Sequence, residues 1–288
     1  IVNDDDPCLA YSFPHTVSGA DNTARMADLV QAINCANANA TADTIDLGGQ
    51  TIEMATAFAA NSALPLVSSE MTIRNGAITR VGVNNLRFFY VSGDLTLDRI
   101  SLTGGTGFIG ITADGGAIYN EGSVTLRNCL LAGNSSTGFG GAVFNGTTHS
   151  LTVINSLISG NRADNTGGGV RNRGTLIVIN STIAGNYAGT GGGIANAGSY
   201  SVSLQNSVVS GNEAPTGADI QDTVTVSNQN SLVGGNPQFV APLDAGDNAP
   251  TSGGDYRLGS GSVAVDAGSN ALIPVGVTLD LDGNPRRV

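Results

Sequence analysis

The feature that most constrains this chain is an internal repeat. GGAIYNEGSVTLRNCLLAGN ends at Asn134, GGAVFNGTTHSLTVINSLISGN at Asn161, GGGVRNRGTLIVINSTIAGN at Asn186 and GGGIANAGSYSVSLQNSVVSGN at Asn212. A worn copy, ADIQDTVTVSNQNSLVGGN, ends at Asn236. The ends (134, 161, 186, 212, 236) fall 27, 25, 26 and 24 residues apart. That drift does not suit a helical solenoid with fixed packing. It suits coils joined by turns of variable length.

Each copy holds three short runs rich in Val, Ile and Leu and bounded by Gly and Asn. In the third copy they span residues 169–172, 176–180 and 182–186. Runs of this length and pattern read as strands. Three strands and three turns make one triangular coil, and stacked coils pair each strand in parallel with its equivalents. The asparagines mark the corners. Asn120, Asn145, Asn172 and Asn196 end the first strand of successive coils. Asn128, Asn155, Asn180, Asn206 and Asn230 end the second. Asn134, Asn161, Asn186, Asn212 and Asn236 end the third. Asn tolerates the left-handed backbone that a sharp corner needs. In-register stacking sets like amides about 4.8 Å apart, close enough to bond in ladders.

The expected fold is therefore an all-β, right-handed parallel β-helix. Less regular strands extend it upstream at 43–47, 70–75 and 94–98. Downstream, 255–258 and 262–266 read as a last coil. The count is about nine coils of ~25 residues over 43–270, or a rod of roughly 45 Å. It is most regular over 116–236. Residues 1–42 hold an N-terminal strand and a capping helix, and 271–288 form a closing segment. The helix is read over 23–37, where Met26, Leu29, Val30 and Ile33 share a face and Asp21, Asn22 or Thr23 supplies the N-cap. A solenoid end exposes core and strand edges, so it needs such a cover.

The chain has three cysteines. A Cys8–Cys35 bridge would clamp the helix. Cys129 holds a position taken by Ser156, Ser181 and Ser207 in later copies, and reads as a buried free thiol. With a chain that opens at Ile1, the bridge suggests a mature secreted protein.

The Gly-Gly-Ala/Gly-Ile-x-Asn and Gly-Asn repeats resemble those of secreted bacterial β-helix proteins of the choice-of-anchor or CSLREA type. They also resemble the GGAI-type repeats of polymorphic outer-membrane adhesins. Residues 28–45, running from Asp28-Leu29-Val30-Gln31-Ala32-Ile33 to Asp43-Thr44-Ile45, are similar to the opening segment of the first family. Residues 263–268 and 280–286 resemble its closing segment. The pattern departs where Ala24-Arg25-Met26 replaces the signature cysteine, and where the family's last strand and anchor would follow Val288. The resemblance implies an exported or surface protein.

The chemistry on the rod is sparse. A net charge of −11, with arginine supplying all 12 basic residues, disfavours nucleic acid and anionic membranes as partners. No run of about 20 apolar residues suggests a membrane span. A galacturonase-type site needs paired carboxylates facing one groove, and a pectate-lyase type needs an acidic calcium cluster with a basic residue. From Gly116 to Asn212 the only acidic residues are Glu121 and Asp164, in different turns. His15 and His149 are isolated and read as surface histidines. Arg127, Arg162, Arg171 and Arg173 fall on neighbouring coils, as solvated positions or a basic stripe for an anionic glycan. Thr125, Thr152 and Thr175 make no Thr-x-Thr rank of the ice-binding kind. Asp4–Asp6 and Asp280/Asp282 resemble fragments of calcium loops but read as solvated turns. The sequons at Asn134, Asn145 and Asn180 overlap the expected ladders, where no glycan fits.

The reading is a non-catalytic extracellular structural protein: a rod-like scaffold, adhesin or self-assembling fibre subunit with no cofactor. Fibre growth would add the strand Ile1–Asn3 to another copy's open end. The alternative is a carbohydrate-binding or polysaccharide-degrading β-helix.

Overall fold

The computed structural model describes residues 7–58, 62–107, 113–222, 226–244, 246 and 249–286. The expected strand at Ile1–Asn3 and the acidic run Asp4–Asp6 lie outside the described residues.

The chain forms a parallel β-helix of about eight turns, one fewer than the repeat arithmetic implies. Ser123–Arg127, Ser150–Ile154, Thr175–Ile179 and Ser201–Gln205 pair in register, residue for residue. Ile118–Asn120, Val143–Asn145, Val170–Asn172 and Ile194–Asn196 do the same on another face. Leu130–Ala132, Leu157–Ser159, Thr182–Ala184 and Val208–Val209 form the third set. The first and third of these sets belong to one 15-stranded sheet, because upstream Met71–Arg80 and Asp94–Thr103 run through both without a break. A fourth short run follows the Gly-Asn ends at Asn134, Asn161 and Asn186, as Ser135–Ser136, Arg162–Thr166 and Tyr187–Thr190, and pairs onward to Thr106–Gly107. Alternate residues of each strand point inward and fill the bore with Val, Leu and Ile, nearly all fully buried.

The asparagine columns divide the work that sequence assigned to all three. Only the second takes up the left-handed backbone, with φ from 48° at Asn155 to 57° at Asn230. In the third, the residue before each asparagine does so: Gly133, Gly160, Gly185 and Gly211. The first and third columns are ladders. Asn120 Nδ2 donates to Asn145 Oδ1 at 2.7 Å, Asn145 to Asn172 at 2.8 Å and Asn172 to Asn196 at 2.8 Å. Asn134, Asn161, Asn186 and Asn212 repeat this at 2.8–2.9 Å, and each backbone N–H of the first three also donates to the next side chain.

Each ladder ends on an aspartate. Asn196 donates to Asp222 at 3.0 Å and Asn212 to Asp219 at 2.9 Å. The last amide needs an acceptor, and a carboxylate supplies one with no donor left over. Asp219 thus takes the place foreseen for Asn236, which is exposed and accepts the nearby Gln238 N–H. Counting Gly-Asn ends extends the ladder to Asn236 because the count does not reveal where inward register is lost.

The second column departs further from expectation. Its polarity is reversed: Asn155 donates back to Asn128 at 2.6 Å, and Asn128 back to Asp98 at 2.9 Å. Beyond Asn155 the amide chain stops, because the C-terminal segment lies across it. Arg286 donates to Asn155 Oδ1 and to the Asn180 carbonyl. Ser269 N–H donates to Asn206 Oδ1 and its carbonyl accepts from Nδ2, both at 2.8 Å. Ile273 and Val277 pack on Ile154 and Ile179. This segment is a strap along the side of the rod.

The expected last coil does not form. Asp255–Leu258 pairs antiparallel with Phe239–Ala241, and 262–266 is turn with Val263 and Val265 exposed. Pro242, Pro250, Gly253 and Gly254 turn the chain back before another circuit closes.

Helix α1 (Asn22–Ala38) covers the other end, N-capped by Asp21, whose carboxylate accepts the Ala24 N–H at 2.9 Å. Leu29, Ile33 and Ala36 seat on the bore. Asn22 and Asn37 exchange backbone-like bonds with Glu53 and with Leu66 and Ser68 on the coil edge. A disulfide joins Cys8 to Cys35, with Cα atoms 5.4 Å apart. His15, read as a surface residue, is half-buried and contacts Asp28 at 3.1 Å. Burial resists ionisation of Asp28, but hydrogen bonds from Tyr11, Ser18 N–H and His15 outweigh it and hold its pKa below 3.8.

A depressed carboxylate pKa stabilises the fold above the ordinary value and loses that effect as pH falls through the folded value. Asp28→Asn is therefore expected to lower the thermal midpoint at pH 7 and to flatten its fall between pH 4 and 2.5. Asn161→Ala strips buried acceptors from Asn134 and is expected to cost about 3 kcal/mol. Asn236→Ala, off the ladder, should stay within about 0.5 kcal/mol. Urea midpoints compare the two.

Candidate functional site, an arginine and tyrosine face

Outward residues on the face that carries the first asparagine column stack in register: Tyr90, Tyr119, Phe144 and Arg171. Tyr119, Phe144 and Arg171 each precede a ladder asparagine, and Tyr90 precedes Val91, the register partner of Asn120, so the coil register dictates the stack. Tyr90 meets Tyr119 edge to face at 5.1 Å, and Tyr119 lies parallel to Phe144 at 4.9 Å. Phe144 is 4% exposed. The rings therefore use their faces on one another and offer their rims to a ligand.

Charge gathers around this stack. Glu121 accepts from Tyr90 Oη at 2.5 Å and Tyr119 Oη at 3.3 Å. Tyr119 is pushed up to about 12, first by burial and then by Glu121. Arg87 is only 2% exposed; it donates to the carbonyls of Gly115 and Asp114, and its Cζ lies 5.0 Å from the Tyr119 ring. Burial brings Arg87 down to about 10, so it stays charged at neutral pH. Asp114 accepts the Phe139 N–H at 2.9 Å. Burial raises its pKa even though Arg87, Arg173 and Arg171 all pull the other way. Arg171 sits 5.5 Å from the Phe139 ring, and its buried Nε has no hydrogen-bond partner among the described residues.

The arrangement is a half-buried, charge-dense face with three guanidinium groups against two carboxylates. It suits recognition of an anion by Arg171 and Arg173, with tyrosine rims beside them.

Arg171 and Arg173 are shared with the stripe read from sequence; Arg127 and Arg162 are not. Arg127 lies on the broad sheet, and Arg162 stacks on Tyr187 and pairs with Asp164 at 3.4 Å. Tyr90, Tyr119, Phe144, Arg87 and Asp114 were missed. Asp114 stands two residues before the most regular stretch, which begins at Gly116. The aromatic rank was legible as the residue before Asn120 and Asn145. Cys129 is fully buried and its pKa is pushed up to about 12 by desolvation; its N–H opens a file of serine hydroxyls through Ser156 at 2.9 Å. Asp280 Oδ1 accepts the Asp282 and Asn284 N–H groups, forming a self-contained turn. No group of three or more His, Cys, Asp and Glu residues able to hold a metal ion occurs among the described residues. No helix is long and apolar enough to cross a membrane among those residues.

No protein-family model matches this chain, and comparisons with curated proteins and with solved structures find no match.

A raised carboxylate pKa means that ionised Asp114 costs stability at neutral pH, a cost that vanishes on acidification. Asp114→Asn keeps the acceptor for Phe139 and is expected to be more stable than the parent at pH 7. The gap should close by about pH 3. Thermal midpoints across that range decide it.

Proposed function

We propose that this chain is a non-catalytic extracellular rod of the scaffold or adhesin kind, related to the choice-of-anchor β-helix proteins, whose arginine and tyrosine face grips an acidic glycan. The observation that carries the reading is the gathering of Arg87, Arg171 and Arg173 on one flat face of a chain whose net charge is −11. Repulsion from the rest of the surface would keep anions away unless one patch reverses the sign locally. Arg87 is spent on backbone carbonyls, which leaves Arg171 and Arg173 to meet carboxylates. The buried ladders suit the supporting role, since they hold the face flat and in register.

Tetragalacturonate is the probe. Its binding at low salt, followed by calorimetry, is expected to weaken about tenfold or more in Arg171→Ala/Arg173→Ala, which corresponds to about 1.4 kcal/mol. Asp114→Asn should tighten it by removing the competing carboxylate, and added salt should weaken it. No binding, or binding indifferent to both changes, overturns the proposal. Unsaturated uronates in the same mixture would instead favour the degradative alternative. Negative-stain images that show ordered filaments would place the chain among fibre subunits.

A further inference from the structure

A cavity lies between the strap and the broad sheet, away from the sheet that carries the arginine face. Its volume is about 860 Å³, within the roughly 300–1,000 Å³ that a small-molecule site occupies. Its floor is the broad sheet, including Asn180, Thr182, Asn206 and Val208, and its walls are the strap and the Asp255–Leu258 strand.

Asn180 decides what this cleft lacks. The residue is 5% exposed, yet its Nδ2 has no hydrogen-bond partner among the described residues. Both neighbours in its column are taken. Asn155 Oδ1 is held by Arg286, and Asn206 Oδ1 by the Ser269 N–H. A buried amide donor without an acceptor is rare in folded proteins and calls for one from outside.

The charge of the lining narrows the ligand. Asp266, Asp280 and Asp282 outnumber Arg257 and Arg286 in the lining, and Arg257 is already paired with Asp255. Carboxylates accept from hydroxyl groups and repel uronates. The floor is a sheet face whose backbone bonds are already made between coils, so an extended peptide finds no edge to pair with. What it offers is side-chain amides, hydroxyls and small apolar patches at Val208, Leu232 and Ile273. That set is complementary to the hydroxyls and C–H faces of a neutral sugar. We infer that the cleft between the C-terminal strap and the Asn180–Asn206 column is a binding site for a neutral oligosaccharide. It is separate from the arginine face and opposite to it in charge preference.

The test uses the full chain with cellotetraose, mannotetraose and chitotetraose, and tetragalacturonate as the charged comparison. Saturation-transfer NMR and calorimetry are expected to show saturable binding of at least one neutral sugar. Asn180→Gly keeps the left-handed backbone and removes the amide; it should weaken that binding about tenfold. Thr182→Tyr fills the cleft and should abolish it, with circular dichroism confirming that both variants fold. The inference is overturned if none of the three neutral sugars binds, or if binding survives both substitutions unchanged.

Discussion

A buried side-chain amide can neither reach water nor stay unpaired, and the regular coils from Asn120 to Asn212 are spaced to satisfy that demand. Asn145 is fully buried, and so are Asn134, Asn161, Asn172 and Asn186. Each amide has donors and an acceptor, so it needs a partner on both sides along the rod. A like residue one coil away meets the need only if successive strands pair in strict register. The ladders therefore penalise any slip, and they tolerate loops of different length between the strands they tie.

The same chemistry explains the ends of the ladders. A row of amides that all donate in one direction leaves a donor at its final member. Asp222, Asp219 and Asp98 stand at those three positions. The second column runs opposite to the others, and its outward asparagines become docking points for the strap. Asn206 treats the Ser269 backbone as a strand would, with one bond given and one received. Ile154 and Ile179 supply the apolar part of the same seam. One residue type thus serves as interior ladder, as corner and as exterior socket, and its surroundings decide which.

Electrostatics separates two faces. On one, burial and proximity gather three arginines around a reluctant carboxylate. On the other, aspartates line the cleft whose floor holds an amide left without its ladder partner. In both, regular stacking supplies the platform, and a departure from regularity supplies the group that a ligand would satisfy.

Local sequence alone determined the parallel β-helix, the inward hydrophobic file, the first ladder, the third as far as Asn212, and, from an apolar face outside the repeat, the capping helix. All of these follow from local periodicity and from residue types that suit few other settings. The tertiary structure decided the rest, because each remaining feature joins residues far apart in sequence. Asp219 caps a ladder from a position that no Gly-Asn count marks. The strap crosses the second column more than 100 residues upstream of Arg286, and its grip stops that column's amide chain at Asn155. Asp255–Leu258 turns back instead of closing a ninth coil, since two prolines and two glycines break the circuit. Asp114 meets Arg171 and Arg173 only once the coils are stacked. Periodicity reports what each residue does within its own coil, and packing alone reports what reaches it from another.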